Sequence, residues 1–164
     1  MTTSTEGEFA QYLTFQVADA EYGVGILKVR EIIEYDTVTR VPHAPVAVRG
    51  VLNLRGAVVP VVDLAVKFGL PASTVTKRSC VIVVECILDG EETVMGVLAD
   101  AVSQVVDLAP TDIEPAPAFG ARVRVEFLQG MGKLGGRFVL LLDLDRLLSS
   151  QDAAAGRPTA LVDA

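Results

Sequence analysis

GVLNLRGAVVPVVDLAVKFG, residues 50–69, is the stretch that decides the fold of this chain. Its apolar run is interrupted at Arg55-Gly56, which predicts a short strand, a tight turn and a longer strand. Apolar residues occupy nearly every position from Ala57 to Val62, so neither face of the second strand is expected to meet water. Asp63 then stands where its side chain can cap a short helix, Leu64 to Phe68.

The same pattern recurs 80 residues later in the chain. Residues 50–69 align without gaps on residues 130–149, with six identical pairs and mostly apolar residues opposite apolar residues. A second offset, of 73 residues, relates Gly23-Val24 to Gly96-Val97. The sequence therefore predicts two copies of one five-strand unit.

The expected architecture is all-β with a few short helices, in which two small closed barrels pack around a shared core. Each copy is too short to manage its strand edges as an open sheet, so closure is the expected solution. Valine dominates the apolar content and tryptophan is absent, which favours strands over helices. The repeat halves are expected at about residues 9–79 and 80–149, between a disordered lead, 1–8, and a C-terminal tail, 150–164.

Local patterns predict the remaining elements. Phe9 to Val17 alternates like a half-buried strand, with Leu13, Phe15 and Val17 on the buried face. A kink near Leu27-Lys28 followed by a third strand is the preferred interpretation of the next segment, and a helix over residues 26–35 is the alternative. Val46 to Arg49 is expected to form one helical turn.

Further signals mark the strands and the end of the chain. Pro60 lies within a predicted strand and therefore needs an edge or a bulge. Asp89-Gly90 between two apolar runs predicts a hairpin. A helix is expected from about Asp143 to Ser149, and the alanine-rich tail is expected to extend it and then fray.

Composition excludes several classes of function. The net charge is −7 and the 14 basic residues are scattered, whereas a nucleic-acid binder needs a basic face. The polar, acidic N-terminus is unlike a signal peptide. No apolar run approaches the roughly 18 residues of a membrane span. A soluble, cytoplasmic protein that does not insert into a membrane is expected.

Residues that carry chemistry are sparse. His43 is the one histidine and lies between two prolines, so no zinc site is expected. Cys80 and Cys86 fall on one face of one predicted strand, too far apart for a disulfide, and are expected to pack as small hydrophobes. No nucleophile elbow, phosphate-binding loop or dinucleotide fingerprint occurs. We expect no catalysis, metal or cofactor, and the apolar composition indicates a binding module.

The repeat separates structural residues from functional candidates. Both copies keep the turn glycines, Gly56 and Gly136, and the aspartates before the helices, Asp63 and Asp143, which are therefore interpreted as turn and cap residues. Two charged residues belong to one copy only. Arg55 aligns with Gly135, and Glu31 aligns with Gln104. We predict that Arg55 and Glu31 form an ion pair, which the barrel itself does not require.

Five motifs carry a resemblance to a known family: Tyr22-Gly23-Val24, Val29-Arg30-Glu31-Ile32, Thr39-Arg40-Val41-Pro42, Gly50-Val51-Leu52-Asn53-Leu54-Arg55-Gly56 and Val59-Pro60-Val61-Val62-Asp63-Leu64. In these motifs the chain resembles the CheW family of bacterial chemotaxis coupling proteins, and the resemblance extends from about Phe9 to Ser149. It implies a single domain of two SH3-like five-stranded barrels, with strands that the two barrels can share. The module also occurs within the kinase CheA and fused to a receiver in CheV, but the free adaptor is the better match.

The resemblance also implies partners. Family members connect the cytoplasmic tips of methyl-accepting chemoreceptors to the regulatory domain of the histidine kinase CheA, without catalysis or a cofactor. Receptor contact would involve Val29, Glu31, Ile32, Gly50, Asn53 and Arg55. Core packing is the alternative for Val29 and Ile32, and turn geometry is the alternative for Gly50 and Gly56. Two other functions stay open, an adaptor of a non-motility chemosensory system and a small-ligand-binding barrel.

Overall fold

The computed structural model describes residues 9–35, 38–115 and 125–154. Eleven strands are present in these ranges: β1 Ala10–Val17, β2 Ala20–Gly25, β3 Val29–Glu34, β4 Val48–Leu54, β5 Ala57–Asp63, β6 Cys80–Leu88, β7 Glu91–Ala99, β8 Ala101–Leu108, β9 Ile113–Glu114, β10 Leu128–Leu134 and β11 Arg137–Leu142. Three short helices accompany them, α1 Leu64–Lys67, α2 Leu144–Leu147 and α3 Ser150–Ala154. The predicted fold class is confirmed, because the structure is mostly β and consists of two curled sheets.

The two sheets exchange strands between the halves of the chain. Barrel A has the strand order β8-β1-β2-β11-β10-β9, and barrel B has the order β3-β6-β7-β5-β4. Each barrel therefore starts from the hairpin of one half, β1–β2 or β6–β7, and is completed by strands of the other half. The parallel pairs β11 with β2 and β5 with β7 join these two contributions.

Strand register reproduces the sequence repeat. The parallel pair Val61 and Gly96 in barrel B corresponds to Leu141 and Gly23 in barrel A, at the offsets of 80 and 73 that the sequence shows. The β-bulges correspond as well. The antiparallel ladders shift register at Arg49 and at its counterpart Gln129, and again at Arg30 and its counterpart Ser103.

Three apolar clusters hold the strands together. The largest lies between the two barrels and includes Phe15, Tyr22, Ile82 and Met95, each at most 1% exposed. A second fills the interior of barrel B, and a third fills the interior of barrel A. The barrel interiors are thus packed with side chains from the protein itself, such as Val59 in one and Val139 in the other. The inter-barrel core makes the two barrels one folding unit.

Some local expectations are confirmed and others are wrong. A 3₁₀ turn, Ile26–Lys28, precedes β3, which confirms the kink and excludes the helix over residues 26–35. The helical turn expected at Val46 to Arg49 is wrong, because β4 already begins at Val48. Val46 and Val48 are compatible with either a helical turn or a strand. The pairing of Val48 with Val62 on β5 makes Val48 the first residue of a strand.

Burial corrects the interpretation of β1. Its alternating pattern predicted one buried face, yet Tyr12 and Thr14 on the other face are buried too. Tyr12 belongs to the barrel A interior, while Leu13 and Phe15 belong to the inter-barrel core. The Thr14 hydroxyl is satisfied because it donates to the Gln104 carbonyl at 3.0 Å. β1 therefore lies between two cores and is buried on both faces. Thr14 is tolerated on the second face because its hydroxyl is hydrogen-bonded.

Two further expectations concern Pro60 and the C-terminal region. β5 is an internal strand, but its parallel ladder with β7 begins only at Val61, so Pro60 precedes that ladder and its missing amide proton breaks no pairing with β7. The predicted helix from Asp143 to Ser149 is only one turn long, and Ser150–Ala154 forms a separate helix rather than its extension. The lead 1–8 and the tail beyond residue 154 lie outside the described residues. No helix in the described ranges is both long enough and apolar enough to span a membrane.

The cysteines are free and lie on the face of β6 that packs in the inter-barrel core. Burial, with the Asp145 carboxylate nearby, raises the pKa of the Cys86 thiol from 9.0 to about 11. Burial also raises the pKa of Cys80. Both thiols are therefore protonated at neutral pH and pack as small apolar groups, as the sequence predicted.

We expect the free energy of unfolding to fall as the pH rises from 9.0 towards about 11. The folded state binds the Cys86 proton more tightly than the unfolded chain does, so this contribution is present below the unfolded pKa and is lost as the pH passes the folded pKa. Urea unfolding across this pH window should show a smaller loss for Cys86→Ala than for the native protein. Equal losses in the two proteins would contradict the assignment.

Candidate partner-binding surface

The β4–β5 hairpin presents Arg55 at the tip of a two-residue turn. Leu54 and Ala57 pair across it, and Arg55 and Gly56 have φ angles of +51° and +90°. These left-handed angles define a type I′ turn, in which glycine or asparagine is the usual first residue. The corresponding turn of barrel A uses Gly135 at that position, with φ of +56°. Arginine is thus accommodated in a strained conformation that costs on the order of 1–2 kcal/mol.

Arg55 and Glu31 form the predicted ion pair, with 2.5 Å between Arg55 Nη2 and Glu31 Oε2. The Arg55 side chain is 73% exposed and the Glu31 side chain 27% exposed, so Glu31 anchors the arginine from a more sheltered position. The Asn53 side chain supports the turn, because its Oδ1 accepts a hydrogen bond from the Gly56 amide at 2.8 Å.

The ion pair joins the two ends of a curled sheet. Glu31 lies on β3 and Arg55 follows β4, and these strands stand at opposite ends of the strand order in barrel B. An exposed pair contributes about 0–1 kcal/mol, less than the strain of the turn. The pair therefore stabilises a particular surface rather than the fold.

A β-bulge at Arg30 sets the directions of the other β3 side chains. Val29 pairs with Val84 and Ile32 with Ile82, which places Val29 and Ile32 on the face next to the inter-barrel core. Val29 is half-buried against that core, whereas Ile32 is 43% exposed. Val29 is therefore mainly a packing residue. Ile32 offers an exposed apolar contact, but on the opposite face of β3 from Glu31, which pairs with Val83.

Gly50 is buried beneath the backbone at Thr39 and is not part of the exposed surface. A Cβ atom at this position would lie 2.2 Å from the Thr39 carbonyl oxygen. Its counterpart Gly130 has the same constraint, since a Cβ there would lie 2.8 Å from the Glu114 carbonyl oxygen. Both glycines follow a bulge and allow a neighbouring segment to approach, so the role of Gly50 here is structural.

Asp63 and Asp143 differ although the repeat aligns them. Asp63 caps α1, as predicted, by accepting from the Ala65 amide at 3.1 Å. Asp143 occupies the same position before α2, but its side chain makes no capping hydrogen bond and lies 3.7 Å from the Arg146 guanidinium. The cap prediction is therefore wrong for the Asp143 side chain. The Asp143 carboxylate is partly exposed and pairs with Arg146 instead of the helix backbone.

Asp63 does more than cap a helix. It is fully buried and also accepts hydrogen bonds from the Ser73 amide at 2.9 Å, the Ser73 hydroxyl at 3.0 Å and Arg49 Nη1 at 3.3 Å. Arg49 in turn donates to the Tyr35 hydroxyl at 3.2 Å. Sequence reasoning missed this cluster, although one signal was present: Arg49 aligns with Gln129, so its charge also belongs to one copy only.

The corresponding edge of barrel A has a different charge pattern. Lys133, the counterpart of Asn53, lies 2.6 Å from the Glu114 carboxylate. That hydrogen bond and the carboxylate charge raise the pKa of Lys133. Gln104 and Gly135 stand where barrel B has Glu31 and Arg55. The two barrels thus have the same backbone arrangement but carry different charged side chains at this edge.

A CheW-like domain model matches residues 11–152, which include strands of both barrels. The chain belongs to the CheW-like family. It is 42% identical over 144 residues to a chemotaxis protein CheW of Klebsiella aerogenes, covering 88% of this chain and 84% of that protein. It is 37% identical over 145 residues to a chemotaxis protein CheW of Rhizobium meliloti, covering 88% and 91% of the two chains.

A solved structure supports the same CheW-like assignment. The crystal structure of the scaffolding protein TtCheW from Thermoanaerobacter tengcongensis superimposes with a TM-score of 0.75 at 29% identity, over 85% of this chain and 87% of that one. The resemblance inferred from the Asn-Leu-Arg-Gly and Val-Pro-Val-Val-Asp-Leu motifs is confirmed. No cluster of three or more potential metal-ligating side chains occurs in the part of the chain that the structure describes.

Gly50→Ala should lower the free energy of unfolding by about 3 kcal/mol, because the added methyl group collides with backbone that has little room to move. Gly25→Ala is the matched control. A Cβ at Gly25 meets nothing within 4 Å, so a change within about 0.5 kcal/mol is expected. Chemical denaturation measures both. A stable Gly50→Ala protein would return Gly50 to the candidate surface residues.

Proposed function

We propose that the protein is a non-catalytic adaptor that couples the cytoplasmic tips of chemoreceptors to the regulatory domain of the histidine kinase CheA. Membership of the CheW-like family supports this proposal. So do the relatives named chemotaxis protein CheW and the structural similarity to a scaffolding protein. The adaptor would act at the cytoplasmic side of receptor arrays, held there by its partners.

The single observation that carries the receptor assignment is the Arg55–Glu31 pair. It is absent from the equivalent positions of barrel A, it is exposed, and it is maintained on a turn where glycine would be less strained. A charged group kept at a cost to local geometry is a candidate for function. Asn53 supports the turn that carries Arg55, and Ile32 supplies an exposed apolar contact on the opposite face of β3.

Scaffolding is a mechanism by which the protein would couple its partners without catalysing a reaction. A protein that holds a receptor helix bundle on one surface and a kinase domain on another raises their mutual effective concentration to about the millimolar range. The inter-barrel core fixes the geometry between surfaces on the two barrels, so a receptor rearrangement can be transmitted as a shift at the kinase interface. The kinase would use barrel surfaces other than the β3 edge. The same mechanism would serve a chemosensory system with an output other than motility.

Arg55→Ala and Arg55→Gly should each weaken binding to a purified cytoplasmic fragment of a chemoreceptor from the same organism by about tenfold. Binding to the kinase regulatory domain should change less than about twofold. Arg55→Gly relieves the turn, so it should fold at least as well as Arg55→Ala and separates binding from stability. Arg137→Gln removes an exposed, ion-paired arginine of barrel A and serves as the control. Unchanged receptor binding in both Arg55 variants would refute the assignment.

A charge swap tests what the pair contributes. In Arg55→Glu/Glu31→Arg the ion pair can form with the charges reversed, so a purely structural role would restore receptor binding. We expect binding to stay weakened by about tenfold, because the receptor recognises the arginine itself. Titration calorimetry with the same receptor fragment distinguishes the outcomes, and full recovery in the double variant would show that only the tie between the strands matters.

A further inference from the structure

The buried carboxylate of Asp63 is the centre of a polar cluster that ties three segments together. It accepts from Arg49 in the β4 bulge, from the amide of Ala65 at the start of α1, and from Ser73 in the connection before β6. The Asp63 side chain is 0% exposed and that of Arg49 is 25% exposed. Buried charges are retained only where their hydrogen bonds are satisfied. Here the bulge, the start of α1 and the connection before β6 together satisfy the carboxylate.

The cluster belongs to one barrel only. Barrel A has a bulge at the same place, but its extra residue is Gln129, which is exposed. Asp143 is the counterpart of Asp63 and lacks the capping bond. The barrel therefore forms without the cluster. A bulge re-aims the side chain it carries, and in barrel B it directs an arginine towards a carboxylate.

The cluster reaches the end of β3 through Tyr35. Arg49 Nε donates to the Tyr35 hydroxyl at 3.2 Å, and the guanidinium lies over the tyrosine ring, 5.7 Å from its centroid. Tyr35 directly follows β3, which ends at Glu34. β3 and β4 are at opposite ends of the strand order, so ladder hydrogen bonds between them do not set their separation.

Two side-chain ties therefore span the gap between β3 and β4. Arg55–Glu31 lies at the hairpin end of β4, and Arg49–Tyr35 lies at its other end, where Asp63 holds the arginine. A backbone bridge between Thr39 and Val51 lies between them along the β4 strand. The first tie is mostly exposed, and the second is anchored in a buried carboxylate.

We propose that Arg49, held by Asp63, is a positioning residue for the receptor-binding surface. It fixes the end of β3 against β4 and thereby sets the distance at which Glu31 meets Arg55. This inference rests on the proposed function, since it takes the Arg55–Glu31 edge as the receptor site. Arg49 would not contact the receptor itself and would act through the placement of β3.

Tyr35→Phe and Arg49→Gln test the proposal on the full chain. Tyr35→Phe removes the hydrogen bond that Arg49 donates at the end of β3 but keeps the ring under the guanidinium and leaves Asp63 paired with Arg49, so the protein should fold normally. It should weaken binding to the chemoreceptor fragment by about threefold and leave binding to the kinase regulatory domain unchanged. Arg49→Gln installs the residue of barrel A and should weaken receptor binding by about tenfold. Gln129→Ala, at the equivalent bulge of barrel A, is the matched control.

A double-mutant cycle separates positioning from general stability. In the Arg55→Ala background Tyr35→Phe should have no further effect on receptor binding, because the Arg55–Glu31 pair whose geometry the tie sets is already lost. An equal additional loss in that background would overturn the proposal, and so would parallel losses of receptor and kinase binding. If Arg55→Ala alone leaves receptor binding unchanged, the proposed receptor surface fails. If Arg55→Ala weakens binding while Tyr35→Phe and Arg49→Gln do not, the surface stands and only the positioning role fails.

Discussion

Strand exchange between the two halves is the constraint on which the rest of the structure depends. Neither barrel contains the strands of one half alone, since β3, β4 and β5 complete the sheet begun by β6 and β7, while β8 to β11 complete the sheet begun by β1 and β2. The chain must cross between the barrels to achieve this, and the largest apolar cluster lies where it crosses. Because every strand of the two hairpins faces that cluster, the barrels cannot separate without exposing the main core. The exchange therefore fixes the position of one barrel relative to the other.

The two copies of the unit differ at positions where the barrel fold does not require a particular residue. Barrel A shows which turn and bulge residues are sufficient to form the barrel. Barrel A makes its hairpin with two glycines and places glutamine in its bulge, whereas barrel B uses Arg55 in the turn and Arg49 in the bulge. The first substitution strains the turn, and the second places a charge beside a buried carboxylate. Neither is needed to build a barrel. Both bear on the edge between β3 and β4, where the proposed receptor surface lies.

The sequence predicted the repeat and the barrels because offsets of 80 and 73 align glycines and valines whose spacing the backbone dictates. It predicted the Arg55–Glu31 pair because the aligned positions, Gly135 and Gln104, carry no charge. Strands shared between the barrels were part of the expected fold, but which strands are exchanged could not be predicted, since each half offers the same pairing edges to itself and to the other half. The Arg49–Asp63 cluster was missed because a bulge changes the face on which a side chain lies, and alternation alone gives no sign of it. Asp143 was assigned as a cap by alignment with Asp63, but Asp63 owes its additional bonds to Arg49 and Ser73, which barrel A does not reproduce.

The proposed adaptor function requires that one molecule holds a receptor and the kinase at the same time through separate surfaces. Sedimentation velocity on a mixture of this chain, a chemoreceptor cytoplasmic fragment and the CheA regulatory domain measures this. We expect a ternary species containing all three components, in which addition of the receptor fragment does not displace the kinase domain. Mutually exclusive binding, with only the two binary complexes at any ratio of the components, would contradict it.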